Sequence, residues 1–319
     1  MTRRPQQRGV TLIELMIAMA IGLVIVLAAS TAFLAGKKLF NTDADVQAVQ
    51  DTVRFARHVV RGLIRQAGYS DYAPDHRSDG AGVVASSAMP SAGSGSFLDL
   101  DVVGASNTKP GKNDNSIGLN GSDESLGNDS LLVRFFGRTN AKGSGPDDAM
   151  VDCFGVPQAG PVDANAPTPE DRAWSFFFVA LATDGEPELY CKYRASTGRF
   201  ESQPLARGVE KFKVAYGYDA NGDSVPETWL DAGEIAAMAR SGESANAQWR
   251  KVMAVRVGLV VRSGRPNADL RQVGDRADYR LYPLGREFAA TYFDPPDDGR
   301  FRSVSTFTVM LRNRQRDPE

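Results

Sequence analysis

The beginning of this chain constrains it more than any other part. A polar leader carrying Arg3, Arg4 and Arg8 ends at Gly9, and across 10–35 the only charged residue is Glu14. A bilayer needs about 20 apolar residues to be crossed as a helix, and this run supplies them. A carboxylate inside such a run costs ~2.5–3.5 kcal/mol at the helix centre and less near an end. Glu14 therefore needs a reason and a partner.

Two ordinary readings leave something over. A secretory signal peptide has a shorter apolar core followed by a small-x-small cleavage site. Ala28, Ala29, Ser30 and Ala32 imitate such a site, yet the apolar run is too long and its helical pattern continues past it. A plain signal anchor explains the length and the basic flank but leaves Glu14 at the headgroup boundary with nothing to do. Arg3, Arg4 and Arg8 favour a cytoplasmic N-terminus, a bias softened by Lys37 and Lys38 at the other end.

The segment Gly9-Val10-Thr11-Leu12-Ile13-Glu14 resembles the processing site of type IV pilins and type II secretion pseudopilins. The resemblance implies that a membrane aspartyl peptidase cuts between Gly9 and Val10 on the cytoplasmic side and methylates the new amine. Val10 departs from the phenylalanine usual at that position. Glu14 becomes the fifth mature residue, and its carboxylate neutralises a terminal amine on a neighbouring chain. Pairing compensates two desolvated charges together, whereas either alone is strongly destabilising. On this reading Glu14 sets the register in which a subunit joins a filament.

The leader contributes three arginines, so its removal takes the net charge from −2 to −5. With a pI near 5.9 and no long basic run, bulk nucleic-acid binding is not expected. Arg312, Arg314 and Arg316 read as a solvated terminal segment. The two cysteines, Cys153 and Cys191, lack any Cys-x-x-Cys or zinc spacing. They would be free thiols in a reducing cytoplasm, and in an exported domain an even pair predicts a disulfide. The export signal favours the bridge.

Beyond the anchor, apolar residues fall at Val46, Val49, Val53, Ala56, Val60, Leu63 and Ala67, alternating steps of three and four that hold one stripe on one side of a helix. The spacing predicts a helix continuing to Ala67, with Gly68 as its C′ stop and Arg61 and Arg65 near its negative end. The stripe fits packing on the chain's own sheet or a short coiled coil. Ala18 and Gly22 form a small-xxx-small pair that permits close helix approach. Domain expectations follow: a leader over 1–9, a membrane or filament-core helix over 10–35, its amphipathic continuation over 36–68, and a periplasmic β-rich head over 69–319.

Within the head, 82–85 and 97–103 read as short strands and 104–127 as a flexible surface loop rich in Gly, Ser, Asp and Asn. Strands are expected at 130–138, 173–183, 188–194, 211–218, 249–262 and 303–312, with a short helix at 231–240. A long helix followed by antiparallel strands is an α+β pattern. Three segments are similar to the PilW family of minor type IV pilins: Tyr216-Gly217-Tyr218-Asp219-Ala220-Asn221-Gly222-Asp223, the run from Trp249 to Val257, and the ending from Phe301 to Arg314. The resemblance implies a type IV pilin-like fold in which the long helix packs on an antiparallel sheet.

Candidates for chemistry are few. His58 and His76 are the only histidines, and no metalloprotease, nucleophile-elbow or phosphate-loop motif is present. No enzyme is expected, and no cofactor beyond one calcium candidate. Asp219, Asn221 and Asp223, with Glu227 further on, place oxygen ligands at alternating positions as a calcium loop does. Ser224 stands at the glycine position and Leu230 where the bidentate Glu belongs, so a plain turn is the competing and favoured reading. Trp249 and Phe176-Phe177-Phe178 read as core.

The expectation is thus a minor pilin that takes part in initiating the type IV pilus, in a priming or tip complex. It is held in the inner membrane with its head in the periplasm. Its implied partners are other minor pilins, the major pilin, the prepilin peptidase and the inner-membrane assembly platform. A type II secretion pseudopilin and a membrane-tethered periplasmic binding protein or enzyme are the alternatives.

Overall fold

A computed structural model describes residues 9–70, 100–108, 110–112, 117, 127–163, 168–238, 245–266 and 279–313. The expected strand at 82–85, His76 and most of 104–127 lie outside the described residues. Contacts divide the chain into Met1–Gln47 and Ala48–Glu319.

The helix α1 runs over Leu12–Gln66 without a break. Over residues 12–35 its side chains are all exposed, Leu12, Ile13, Leu23, Val26 and Phe33 among them. From Val49 onward the expected stripe is buried: Val49, Ala56, Val60, Leu63 and Ile64 lie in the core, with Val53 and Val59 packed at its margin. Gly68 ends the helix in the left-handed region at φ 69°, as its position predicts. The Gly68 amide donates to the carbonyl of Arg134, and a Cβ here would collide with the carbonyl of Asn313 and the carboxylate of Asp101.

The strands form two sheets. In the first, β1 (Val102–Ala105), β2 (Ser130–Phe136), β3 (Arg172–Leu181), β4 (Pro187–Arg194) and β5 (Phe200–Arg207) lie side by side in chain order, all antiparallel. Consecutive Phe176, Phe177 and Phe178 are all fully buried, so both faces of β3 are covered. The second sheet is built from β6 (Val209–Tyr218), β7 (Thr228–Leu230), β8 (Val252–Arg262) and β9 (Arg302–Met310), in the order β7-β6-β8-β9 and again antiparallel. The chain crosses between sheets at Gly208, φ 80°. Its amide donates to Pro187 in the first sheet and its carbonyl accepts from Arg262 in the second.

Side chains tie the sheets together. Asn128 and Asp129, just ahead of β2, accept from the amides of Phe212 and Val214 at 2.8 and 2.9 Å, and Asp129 also meets Lys213 Nζ at 2.7 Å. Burial pushes the Asp129 carboxyl up, against the opposing pull of Lys213. A second tie is an ion-pair network. Glu186, in the turn after β3, meets Arg262 at 3.0 Å and Arg300 at 2.9 Å. Glu210 bridges Arg262 at 3.2 Å and Arg302 at 2.7 Å, and Arg302 reaches Asp298 at 2.8 Å. A network of half-buried pairs contributes more than isolated surface pairs do.

Several elements differ from the expected ones. The strand expected at 97–103 is β1 over Val102–Ala105. The strand expected at 249–262 begins only at Val252, because Trp249 ends the helix α3 (Ala245–Trp249) and sets its ring edge-on to Tyr216 at 4.7 Å. The helix expected at 231–240 is α2 over Ala232–Ala237, started by a capping box in which Asp231 accepts from the Glu234 amide and Glu234 from the Asp231 amide. The strands β5 and β7 have no counterpart in the sequence reading.

Candidate functional site

The N-terminal motif stands on the first turn of α1. Gly9 and Val10 precede the helix and are exposed, so the peptide bond between them is open to a protease. Thr11 caps the helix. Its amide and hydroxyl both donate to Glu14 Oε2 at 2.9 Å, and its Oγ1 in turn accepts from the Glu14 amide at 3.3 Å. This Thr-x-x-Glu capping box gives Glu14 a second duty that the sequence reading missed, although the spacing was there to be seen. It holds the carboxylate beside the helix start, three residues after Thr11.

Farther along, the polar side chains in the apolar run satisfy themselves. Ser30 Oγ donates to the carbonyl of Val26 at 2.7 Å and Thr31 Oγ1 to that of Ala28 at 2.9 Å. Such internal bonding is what a hydroxyl needs in a medium without water. The helix is long and apolar enough to cross a membrane, and none of its most apolar window is buried in the protein.

In the head, Cys153 and Cys191 form a disulfide with Cα atoms 5.9 Å apart, joining the segment after β2 to β4. In the chain-entropy picture a loop of 38 residues stabilises by about 3–4 kcal/mol. Beside it, the buried Asp152 carboxylate accepts from the amides of Phe154 and Val156, both at 2.9 Å, and from Gln158 Nε2 at 3.1 Å. Burial nevertheless pushes that carboxyl up.

The third predicted group is brought together. Carboxylate oxygens of Asp219, Asp223 and Glu227 lie within 4.8 Å of one another. Backbone amides already occupy much of this loop. Asp219 accepts from Gly222 at 2.6 Å and Ser224 at 2.9 Å, Asn221 Oδ1 from Asp223 at 2.8 Å, and Glu227 from Ala220 at 2.7 Å. Ser224 takes the left-handed conformation, φ 72°, that a calcium loop assigns to glycine. Asn221 itself turns its amide to Asp223. The geometry is a turn closed by side-chain acceptors, with three carboxylates near enough to share a cation.

The described chain thus joins an apolar helix long enough to cross a membrane, an exposed Gly9–Val10 peptide bond and a disulfide-bearing head. Residues 4–30 match the family model for the prokaryotic N-terminal methylation motif, and residues 176–313 match that for Type IV Pilus-assembly protein W. No curated protein matches the chain. Among solved structures it is similar to a type IV-like pilin from Thermus thermophilus, at 14% identity and a TM-score of 0.41, covering 84% of this chain and 97% of that one. The protein is a membrane-anchored type IV pilin-like subunit of α+β fold. The two family matches support a minor type IV pilin of the PilW family, the PilW match lying on residues 176–313. Pilin family proteins are generally structural, and a PilW domain is consistent with pilus assembly.

Proposed function

We propose that this chain acts at the start of type IV pilus growth, as one subunit of a priming or tip complex. The observation that carries the reading is the pairing of a cleavable Gly9–Val10 bond with Glu14 on an apolar helix that has no partner within the described chain. A helix of that kind bundles with others like it. The head stays on the far side of the inner membrane from the leader, where an oxidising compartment maintains the Cys153–Cys191 bridge. After cleavage, the amine at Val10 meets the Glu14 carboxylate of a neighbouring helix, and the heads supply lateral contacts. The partners are other minor pilins and the major pilin, delivered through the peptidase and the assembly platform. The Asp219 loop serves as a turn rather than as a calcium site.

Mass spectrometry of the membrane-extracted protein, with and without prepilin peptidase, tests the first step. A peptidase-dependent N-methylated terminus at Val10 is the expected result, and an unprocessed start in both samples would move the reading to a tethered periplasmic protein. Glu14→Ala is expected to leave membrane insertion intact and to deplete the subunit from sheared pili. Undiminished surface pili would sink the role given to Glu14. Loss of twitching motility on deletion supports the pilus, whereas loss of exoprotein release would assign the chain to a type II secretion system.

A further inference from the structure

Among the described residues the two sheets have four edges, and these are not alike. An edge strand exposes unpaired backbone groups and is normally blunted by shortness, charge, proline or a bulge. In the first sheet β1 is only four residues long. At the other edge β5 contains Pro204 with the charged Glu201 and Arg207, and its register with β4 shifts at Leu189 and Tyr190. In the second sheet β7 has three residues. The remaining edge, β9, has nine and pairs with β8 in unbroken register from Arg302↔Arg262 to Met310↔Ala254. Between its end residues, Ser303-Val304-Ser305-Thr306-Phe307-Thr308-Val309 holds no charge, proline or glycine.

The ladder shows which groups are on offer. The Leu311 amide donates to Met253 and the Ser263 amide to Phe301, so odd-numbered residues of β9 face β8. The amides and carbonyls of Val304, Thr306, Thr308 and Met310 therefore point away from the sheet. Among the described residues none of these backbone groups has a partner elsewhere. The side chains flanking this edge alternate: Ser305, Phe307 and Val309 are buried, whereas Val304 and Met310 are 36% and 45% exposed. Over the Phe307 ring, 5.6 Å from its centroid, lies the guanidinium of Arg57, an exposed α1 residue with no carboxylate in ion-pair reach among the described residues.

We propose that β9 receives an added strand from a different pilin subunit. The incoming segment is extended, with alternating apolar and polar side chains and a carboxylate at the level of Phe307 that pairs with Arg57. Main-chain bonds to Val304, Thr306, Thr308 and Met310 supply the attachment, and the Arg57 pair sets register and selects against a basic strand. The inference rests on the pilin reading and adds to it the surface through which the head recognises its neighbour.

The test uses the full-length chain in its own membrane with the photo-crosslinker p-benzoylphenylalanine at Met310, and sequences the peptide captured. Two variants accompany it. Val304→Pro removes an amide that points outward, a position at which an edge strand tolerates proline without losing its inner ladder. Arg57→Glu reverses the charge on an exposed helix position and leaves β9 untouched. The expected result is a carboxylate-bearing strand of another pilin, with capture falling about tenfold in each variant, as loss of ~1.4 kcal/mol of contact energy requires. Unchanged capture in both variants, a peptide from a second copy of this chain, or no captured peptide from processed, pilus-incorporated protein would overturn the proposal. Protein that is neither processed nor incorporated would overturn the pilin reading itself, and this inference with it.

Discussion

The two stretches of α1 share one backbone and differ in everything else. Residues before Ala48 present leucine, isoleucine and valine in every direction, and those at 12–35 are all exposed. After it, the same helix confines its apolar residues to one stripe and buries them at Val49, Ala56, Val60, Leu63 and Ile64. A helix apolar all round is built for lipid or for a bundle of its own kind, and one with a stripe is built for a folded partner. The comparison teaches that helix propensity alone does not assign a role. What assigns it is the angular spread of the apolar side chains around the axis.

The largest expected effect comes from placing one charge in each stretch. Ala56→Asp puts a carboxylate in the head core and is expected to cost the head at least about 3–5 kcal/mol, enough to unfold it or nearly so. Ala32→Asp is expected to leave head melting unchanged and to impair membrane insertion by up to ~2.5–3.5 kcal/mol. Circular dichroism of the head signal and membrane fractionation distinguish the two. Equal effects on melting would break the comparison.

Next in size is the disulfide. Replacing both Cys153 and Cys191 by serine is expected to lower head stability by about 3–4 kcal/mol in denaturant titration while leaving processing at Gly9 intact. A smaller effect attends acidification. Glu186 and Asp298 are partly buried, which raises their carboxyls, but the hydrogen bonds and charges of Arg262, Arg300 and Arg302 prevail and hold both below their ordinary values. A carboxyl depressed in the folded state contributes stability that is complete above its unfolded value and is lost as pH falls through the folded one. The part of head stability carried by Glu186 and Asp298 is therefore expected to decline as pH drops below about 4.5, whereas the raised Asp129 and Asp152 carboxyls pull the other way. Glu186→Gln should flatten that slope, and an unaltered slope would remove the network from the account. The smallest effect is at the Asp219 loop, where chelation followed by calcium addition is expected to leave the melting temperature unchanged. A calcium-dependent rise would turn the loop into a binding site.

Much of this was legible in the sequence, and the failures have identifiable causes. The stripe from Val49 to Ala67 and the stop at Gly68 were readable because helical spacing and a left-handed glycine are local signals. The strands β3, β4, β6, β8 and β9 announced themselves through β-branched and aromatic runs. Strand β5 did not, because Phe-Glu-Ser-Gln-Pro-Leu-Ala-Arg is strand only by virtue of β4 beside it, and an edge position tolerates its proline and charges. Trp249 was misplaced by three residues because a buried indole packs equally well from a helix end as from a strand. The division into two sheets turns on Gly208, whose double hydrogen bonding to Pro187 and Arg262 joins residues far apart in the chain. The capping role of Glu14 does not follow from its charge, since it depends on Thr11 three places earlier.

The close of α1 also fixes an order of events. The carbonyls of Arg65 and Ala67 are met by the side-chain amide of Asn313, and the Gly68 amide by Arg134. The end of a helix made early is thus finished by a residue made much later, 248 positions after Arg65. Long-range closures of this kind come late, since the intervening chain must first be gathered in. During synthesis the apolar half of α1 is therefore in place in the membrane well before the amphipathic half can be sealed. A nascent chain stalled short of Asn313 would carry a finished apolar helix while the end of its amphipathic half, and the head packed on it, stayed open.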